Sequence, residues 1–225
     1  MIVIILGTRP EIIKLFPIID IFQKKKVSFR ILHTGQHYTS KLSDTFIKQL
    51  NLPLKKIINL NVGSDSHGNQ TAIMISRIEK YLNINKKISS VIVYGDTNSA
   101  LAGSLAASKI SNIKLIHLEA GLRSFDKNMP EELNRRLIDH ISDLLLCPTS
   151  LSKKHLLREG ISRKKIFVTG NTISDAIKSK LTKKYLDKKK FSLENYIVLT
   201  IHREENTINL ENLKKIFKEL VKISK

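Results

Sequence analysis

The sequence has a single cysteine, Cys147, among its 225 residues. No internal disulfide is possible, which suits a reducing compartment. That cysteine follows Leu144-Leu145-Leu146, the setting of a buried structural thiol rather than a nucleophile. No apolar stretch approaches the ~20 residues needed to span a bilayer. The opening MIVIILG has no basic leader and runs straight into Thr8-Arg9-Pro10, so it reads as a first buried strand, not a signal peptide or anchor. A cytoplasmic protein without a membrane partner is expected. Neither GxGxxG nor a P-loop occurs, which sets aside the common dinucleotide and NTPase readings. Nothing repeats beyond an alternation of strand and helix patterns.

Acidic residues are scarce beside basic ones, 20 against 39, and the net charge is +19. Such an excess invites a nucleic-acid reading. The lysines are scattered, however, as Lys24-Lys25-Lys26, Lys55-Lys56, Lys86-Lys87, Lys164-Lys165 and the run from Lys183 to Lys190. No RNA-binding aromatic motif accompanies them and no helix is basic along one face. No nucleic-acid partner is expected. A diffuse lysine coat reads as solvated surface, able to draw in an anionic small substrate.

What is present is a regular β-α alternation. Strand patterns fall at Ile2–Leu6, Ser28–Leu32, Lys56–Asn61, Val91–Tyr94, Lys114–Leu118, Leu144–Cys147 and Lys165–Val168. Helical patterns fall at Pro10–Gln23, Leu42–Leu50, Gln70–Leu82, Thr97–Lys109, Glu131–Ile141 and Ser150–Arg158. Continuous apolar strands separated by helices predict a parallel sheet covered on both faces. The fold class is α/β, a doubly wound parallel sheet, with a first domain over 1–170. Residues 171–225 read as a short helix, a polar lysine-rich linker, a fresh strand Tyr196–Ile201 and an amphipathic helix from Leu210. One strand and one helix cannot bury a core alone, so this piece predicts the start of a second α/β domain.

The chain is organised around Val91 to Arg136. Two apolar runs there end on carboxylates, Asp96 just past the first and Glu119 after the second, and Glu131 opens the next helix. In an open parallel sheet, ligands bind beyond the carboxyl ends of the strands. Carboxylates sharing one pocket can take different pKa values and divide acid and base work. Spacing alone leaves open a plainer alternative: Asp96 caps a helix, Glu131 sits in a first turn, and Glu119 pairs with Arg123. Around this stretch lie four more motifs. Gly7-Thr8-Arg9-Pro10-Glu11-Ile12-Ile13-Lys14 joins a strand end to a capped helix start with two cations, suited to a diphosphate. His33-Thr34-Gly35-Gln36-His37-Tyr38 offers polar groups to a sugar or base, and its two histidines lack a third ligand at zinc spacing. Asn61 to Gln70 reads as a polar surface loop. In Thr200-Ile201-His202-Arg203, His202 sits at a strand end, placed to carry a proton or meet phosphate.

Together these motifs resemble one family. GTRPEIIK, TGQHY, YGDTNSALAGSLAA, HLEAGLR, MPEELNR, CPTS, VTGNTISDAI and TIHREEN occur in the order seen in non-hydrolysing UDP-N-acetylglucosamine 2-epimerases. The resemblance covers essentially the whole chain. It implies two Rossmann-like domains of the glycosyltransferase-B type, a UDP-sugar in the cleft between them, and a homodimer. It implies interconversion of UDP-N-acetylglucosamine and UDP-N-acetylmannosamine by UDP elimination and re-addition, with no cofactor and no metal. By resemblance Asp96, Glu119 and Glu131 match the catalytic acidic residues. Arg9, Lys14, Arg135 and His202 match residues lining the substrate or phosphate site, His202 being carried with the catalytic group. Gln36 and His37 match a substrate-side turn.

Chains of that family are considerably longer, and their further part grips the nucleotide. This sequence therefore reads as a C-terminally truncated member, expected to be impaired or inactive by itself. A hydrolysing relative that releases N-acetylmannosamine and UDP, a glycosyltransferase of the same architecture, and a non-catalytic remnant are the competing readings.

Overall fold

The computed structural model describes residues 1–36, 50, 52–180, 199–201 and 209–223. The predicted helix Leu42–Leu50 up to its last residue, the linker, and the first half of the predicted strand Tyr196–Ile201 lie outside the described residues; Leu199–Ile201 are described and form no strand. So do His37 and His202. The chain divides into two compact units, Met1–Leu181 and Thr182–Lys225.

The first unit contains β1 (Ile2–Leu6), α1 (Arg9–Lys24), β2 (Phe29–His33), β3 (Ile57–Asn59), α2 (His67–Ile84), β4 (Ser90–Tyr94) and α3 (Asn98–Ser108). It continues through β5 (Lys114–Leu118), α4 (Pro130–Ile141), β6 (Leu144–Cys147), α5 (Ser150–Arg158), β7 (Ile166–Val168) and α6 (Thr172–Lys180). The described strands form one parallel sheet in the order β3-β2-β1-β4-β5-β6-β7. The winding reverses between β1 and β4, which opens a crevice at their carboxyl ends.

The strand sequences explain the layers. Successive side chains point to opposite faces of a strand, so a strand covered on both sides is apolar at every position. Val3 and Ile5 pack with Met74 and Ile78 of α2 and Ile138 of α4 on one face. Ile4 and Leu6 pack with Ile12, Leu15 and Ile19 of α1 on the other. Burying each such aliphatic side chain is worth about 2 kcal/mol. Small residues let α3 sink between sheet and neighbours: nine of its eleven residues are buried. Cys147 belongs to a third cluster with Leu145, Leu156 and Ile166. Burial pushes its thiol up to about 11, as befits an inert structural cysteine.

The polar stretch ending at Gln70 departs from its sequence reading. Only its first part is loop. Ser66 caps α2, its Oγ accepting from the Asn69 N–H at 3.4 Å, and α2 begins at His67. Gln70 is buried, donating through Nε2 to the carbonyls of Gly63 (2.8 Å) and Gln36 (3.1 Å). Polarity concealed a helix start because His67-Gly68-Asn69-Gln70 offers no apolar period.

In the second unit the described helix, α7, spans Leu210–Ile223. Leu213, Ile216 and Leu220 are half-buried, and Leu210, Phe217 and Val221 are exposed. Among the described residues, no helix is long and apolar enough to cross a membrane.

Candidate active site

Glu119 stands at the mouth of the crevice, directly after β5, with φ at +69°. A non-glycine residue in this left-handed region is strained, and such strain concentrates at functional sites. Its carboxylate is held from several directions. Lys14 Nζ, from the second turn of α1, lies 2.9 Å from both oxygens. Asn171 Nδ2 donates to Oε1 at 2.9 Å, and the Tyr94 hydroxyl is 3.3 Å from the same oxygen. Tyr94 in turn donates to Asn171 Oδ1 at 2.9 Å, and Lys14 lies 5.0 Å from the Tyr94 ring centroid. Burial pushes the Tyr94 phenol well above its ordinary range, and the Glu119 charge adds to this. Gly95 makes the approach possible: a Cβ there would lie 3.3 Å from Glu119 Oε2, at a φ of +67°. Among the described residues Oε1 thus carries three contacts, whereas Oε2 carries only the lysine and is the oxygen better placed to take a proton.

Asp96, one residue past Gly95, forms an ion pair with Arg135 of α4. Burial drives its carboxyl above the usual value; Arg135 opposes this, and the charges of Glu119 and Glu131 reinforce it. The charges of Glu119 and Glu131 thus both reach the Asp96 carboxyl. Glu131 is exposed in the first turn of α4. Its neighbour Glu132 is buried, accepting from the Ser124 N–H (2.8 Å) and hydroxyl (3.0 Å) and pairing with Arg135 at 3.3 Å. Arg135 so bridges a structural carboxylate and Asp96. Removing its charge removes the force that lowers the Asp96 pKa. Arg135→Gln is expected to move the Asp96 titration to higher pH, read from the side-chain carboxyl carbon by 13C NMR. An unmoved or lowered midpoint would contradict the pair.

The plainer alternative holds for Glu131, which sits in the first turn of α4, and fails for the other two residues. Thr97, not Asp96, caps α3, its Oγ1 accepting from the Ala100 N–H at 3.0 Å. Arg123 ignores Glu119. It donates to Asp139 Oδ2 at 2.8 Å and to both oxygens of Glu159 at 2.8 and 2.6 Å. Neither partner was visible to local spacing, since both lie far along the chain.

The Gly7–Lys14 turn is built on Glu11. Its fully buried carboxylate accepts from the Gly7 N–H, the Thr8 N–H and the Thr8 hydroxyl through Oε2, at 2.8, 2.8 and 2.9 Å. Oε1 accepts from the Thr97 hydroxyl at 2.7 Å, so Glu11 ties the β1 and β4 ends across the switch point. Two N–H groups that the sequence offered to an anion are thereby occupied from within, and Pro10 has none to give. Arg9 is exposed at the first position of α1. Gln36 is anchored, its Oε1 accepting from the Ser99 N–H (3.1 Å) and hydroxyl (2.7 Å). Tyr94 and Asn171 escaped the sequence reading. Both follow the rule that found Asp96, since Tyr94 ends β4 and Asn171 closes the turn after β7. Among the described residues, no three His, Cys, Asp or Glu side chains gather as a metal site.

The model of the family described as UDP-N-acetylglucosamine 2-epimerase matches residues 20–225. A UDP-N-acetylglucosamine 2-epimerase of Methanocaldococcus jannaschii is 50% identical, over 98% of this chain and 61% of its own length. A UDP-2,3-diacetamido-2,3-dideoxy-D-glucuronate 2-epimerase of Pseudomonas aeruginosa is 39% identical, over 97% of this chain and 62% of its own. The crystal structure of the M. jannaschii UDP-GlcNAc 2-epimerase, in complex with UDP-GlcNAc and UDP, superposes with a TM-score of 0.87 at 48% identity. It is matched over 99% of this chain and 62% of that one. The chain thus spans about three fifths of the length of these relatives. On the family model and these identities, the chain belongs to the UDP-N-acetylglucosamine 2-epimerase family.

Proposed function

We propose that the protein interconverts UDP-N-acetylglucosamine and UDP-N-acetylmannosamine. The observation that carries this reading is the pairing of Glu119 with Lys14 and of Asp96 with Arg135 at the ends of β5 and β4, with the charge of Glu131 acting on Asp96. Inverting C2 needs a base on one face of the sugar and an acid on the other. A carboxylate removes the C2 proton; the C–H electrons form the C1–C2 double bond, and the C1–oxygen bond breaks with its pair leaving on UDP. The diphosphate oxygen then returns to C1 while a proton reaches C2 from the opposite face. Lys14, Arg135 and Arg9 are assigned to hold the negative charge that grows on departing UDP. No net oxidation occurs, so the reaction itself calls for no redox cofactor.

Glu119 is assigned the base role through Oε2. Asp96, whose carboxyl burial shifts upward against the pull of Arg135, is assigned the acid role, and Glu131 adds its charge beside the pair. Gln36 and His37 are assigned to the sugar side, and His202 to the phosphate side. Residues 1–170 are read as the carboxylate-bearing domain and 171–225 as the approach to a nucleotide-holding one. A homodimer in the cytoplasm is the working assembly, on family grounds.

The test compares two proteins in D2O with UDP-N-acetylglucosamine: this chain, and this chain joined to the remaining portion of the M. jannaschii relative. Deuterium at C2 with UDP-N-acetylmannosamine is expected from the joined protein, and little or none from the 225 residues alone. A folded joined protein that yields no deuterium would sink the epimerase reading. Free N-acetylmannosamine with UDP would transfer it to hydrolysis. Equal rates from both proteins would refute the need for a nucleotide grip beyond these residues.

A further inference from the structure

One residue of the HLEAGLR motif takes no part in the chemistry above. His117 lies in β5, two residues before Glu119, with its side chain fully buried. Nδ1 is 2.7 Å from Asp139 Oδ1 and Nε2 is 2.9 Å from the Gly95 carbonyl oxygen. A carbonyl oxygen can only accept. Asp139 accepts as well, since its carboxylate is held as an anion by the Arg123 guanidinium and the Gly121 N–H, both donating to Oδ2. Each ring nitrogen therefore has to donate, and the imidazole that satisfies both contacts is the doubly protonated one.

The cluster extends from there. Asp139 Oδ2 accepts from the Gly121 N–H at 3.1 Å and from Arg123 at 2.8 Å. Arg123 is closed off by Glu159. Two cations meet two anions, which is how buried charge is tolerated. The segments gripped are those that carry the three carboxylates. Gly95 adjoins Asp96, Gly121 lies two residues beyond Glu119, and Asp139 lies about two turns beyond Glu131 on α4.

We infer that His117 is a positioning residue, an imidazolium that ties the Gly95 carbonyl to Asp139 and so fixes the mutual spacing of Asp96, Glu119 and Glu131. The catalytic meaning of that spacing rests on the proposed function; the linkage itself does not. An asparagine at 117 reaches the Nδ1 position and keeps a donor for Asp139 while abandoning Gly95. A glutamine reaches the Nε2 position and keeps the donor for Gly95.

Two measurements on the 225-residue chain test the linkage without turnover. Long-range 1H–15N spectra at neutral pH should give two protonated ring nitrogens for His117; one bare nitrogen would overturn the assignment. The Asp96 carboxyl titration, by 13C NMR, reports the spacing directly, since Glu119, Glu131 and Arg135 all act on it. It should shift in His117→Asn and return toward the wild-type midpoint in His117→Gln. Identical titrations in the wild type and a folded His117→Asn would overturn the positioning role. In the joined protein, once it epimerises, His117→Asn should lower kcat about 10²-fold with KM held within about twofold, as a small misplacement of reacting groups does. An unchanged kcat would overturn the inference, whereas an inactive wild type would count against the epimerase reading alone.

Discussion

Gly121→Ala is expected to destabilise the first unit by about 4 kcal/mol and to lower its melting temperature by roughly 10 °C. Two costs combine. The residue sits at φ +78°, where a side chain costs about 1–2 kcal/mol. Its new Cβ would come within 2.4 Å of the Ser152 carbonyl oxygen, and that oxygen belongs to the backbone of α5. A flexible side chain would swing aside, but a helix carbonyl cannot, and overpacking of this kind adds about 1–3 kcal/mol. Either the loop or α5 has to move. The loop is pinned by the Gly121 N–H to Asp139 and by the Gly121 carbonyl, which lies 3.0 Å from His155 Nδ1. Urea unfolding followed by circular dichroism measures the loss. A change within about 0.5 kcal/mol would mean that the turn is far looser than its contacts state.

Arg123→Met is expected to cost about 3–5 kcal/mol, because it strips the guanidinium from buried acceptors without replacing it. The Arg123 and Asp139 side chains are fully buried, and the Glu159 side chain is 21% exposed. Methionine fills most of the volume, so the measured loss reports charge and hydrogen bonds rather than a cavity. Arg123→Lys keeps the charge but cannot make the forked contact with Glu159, and it should fall between the two. Pairing Arg123→Met with Glu159→Gln should recover part of the loss, since one stranded carboxylate is then neutral. Equal destabilisation by Lys and Met would show that the fork, not the charge, holds the cluster.

The strands were legible because burial on both faces makes them continuous apolar runs, and all seven occur within a residue or two of their expected limits. The places of Asp96 and Glu119 just past β4 and β5 were legible because the apolar runs before them mark where the strands end. Their partners were not. Lys14 reaches Glu119 from α1, Asn171 reaches it from beyond β7, and Arg123 turns to Asp139 and Glu159. These pairings are set by winding order, which places distant segments side by side, and no local pattern encodes it. Glu131 and Glu132 show the same limit at a single position: adjacent residues of one type point to different surroundings, and only the second is buried. The left-handed backbone at Glu119 was also invisible, since the sequence offers no glycine there to announce it.

The strand order has a consequence for how the protein is made. β1 is near the centre of the sheet, yet it leaves the ribosome well before its second neighbour. Ile2 pairs with Phe29 on one side early, but its other partner, Ser90, follows only after β2, β3 and α2. Until then one edge of an almost wholly apolar strand has no mate. Such long-range parallel pairing closes slowly, and an open apolar edge is what nascent chains stick by. The first unit should therefore depend on chaperone shielding during synthesis until β4 arrives, and refold in vitro with yields that fall as protein concentration rises.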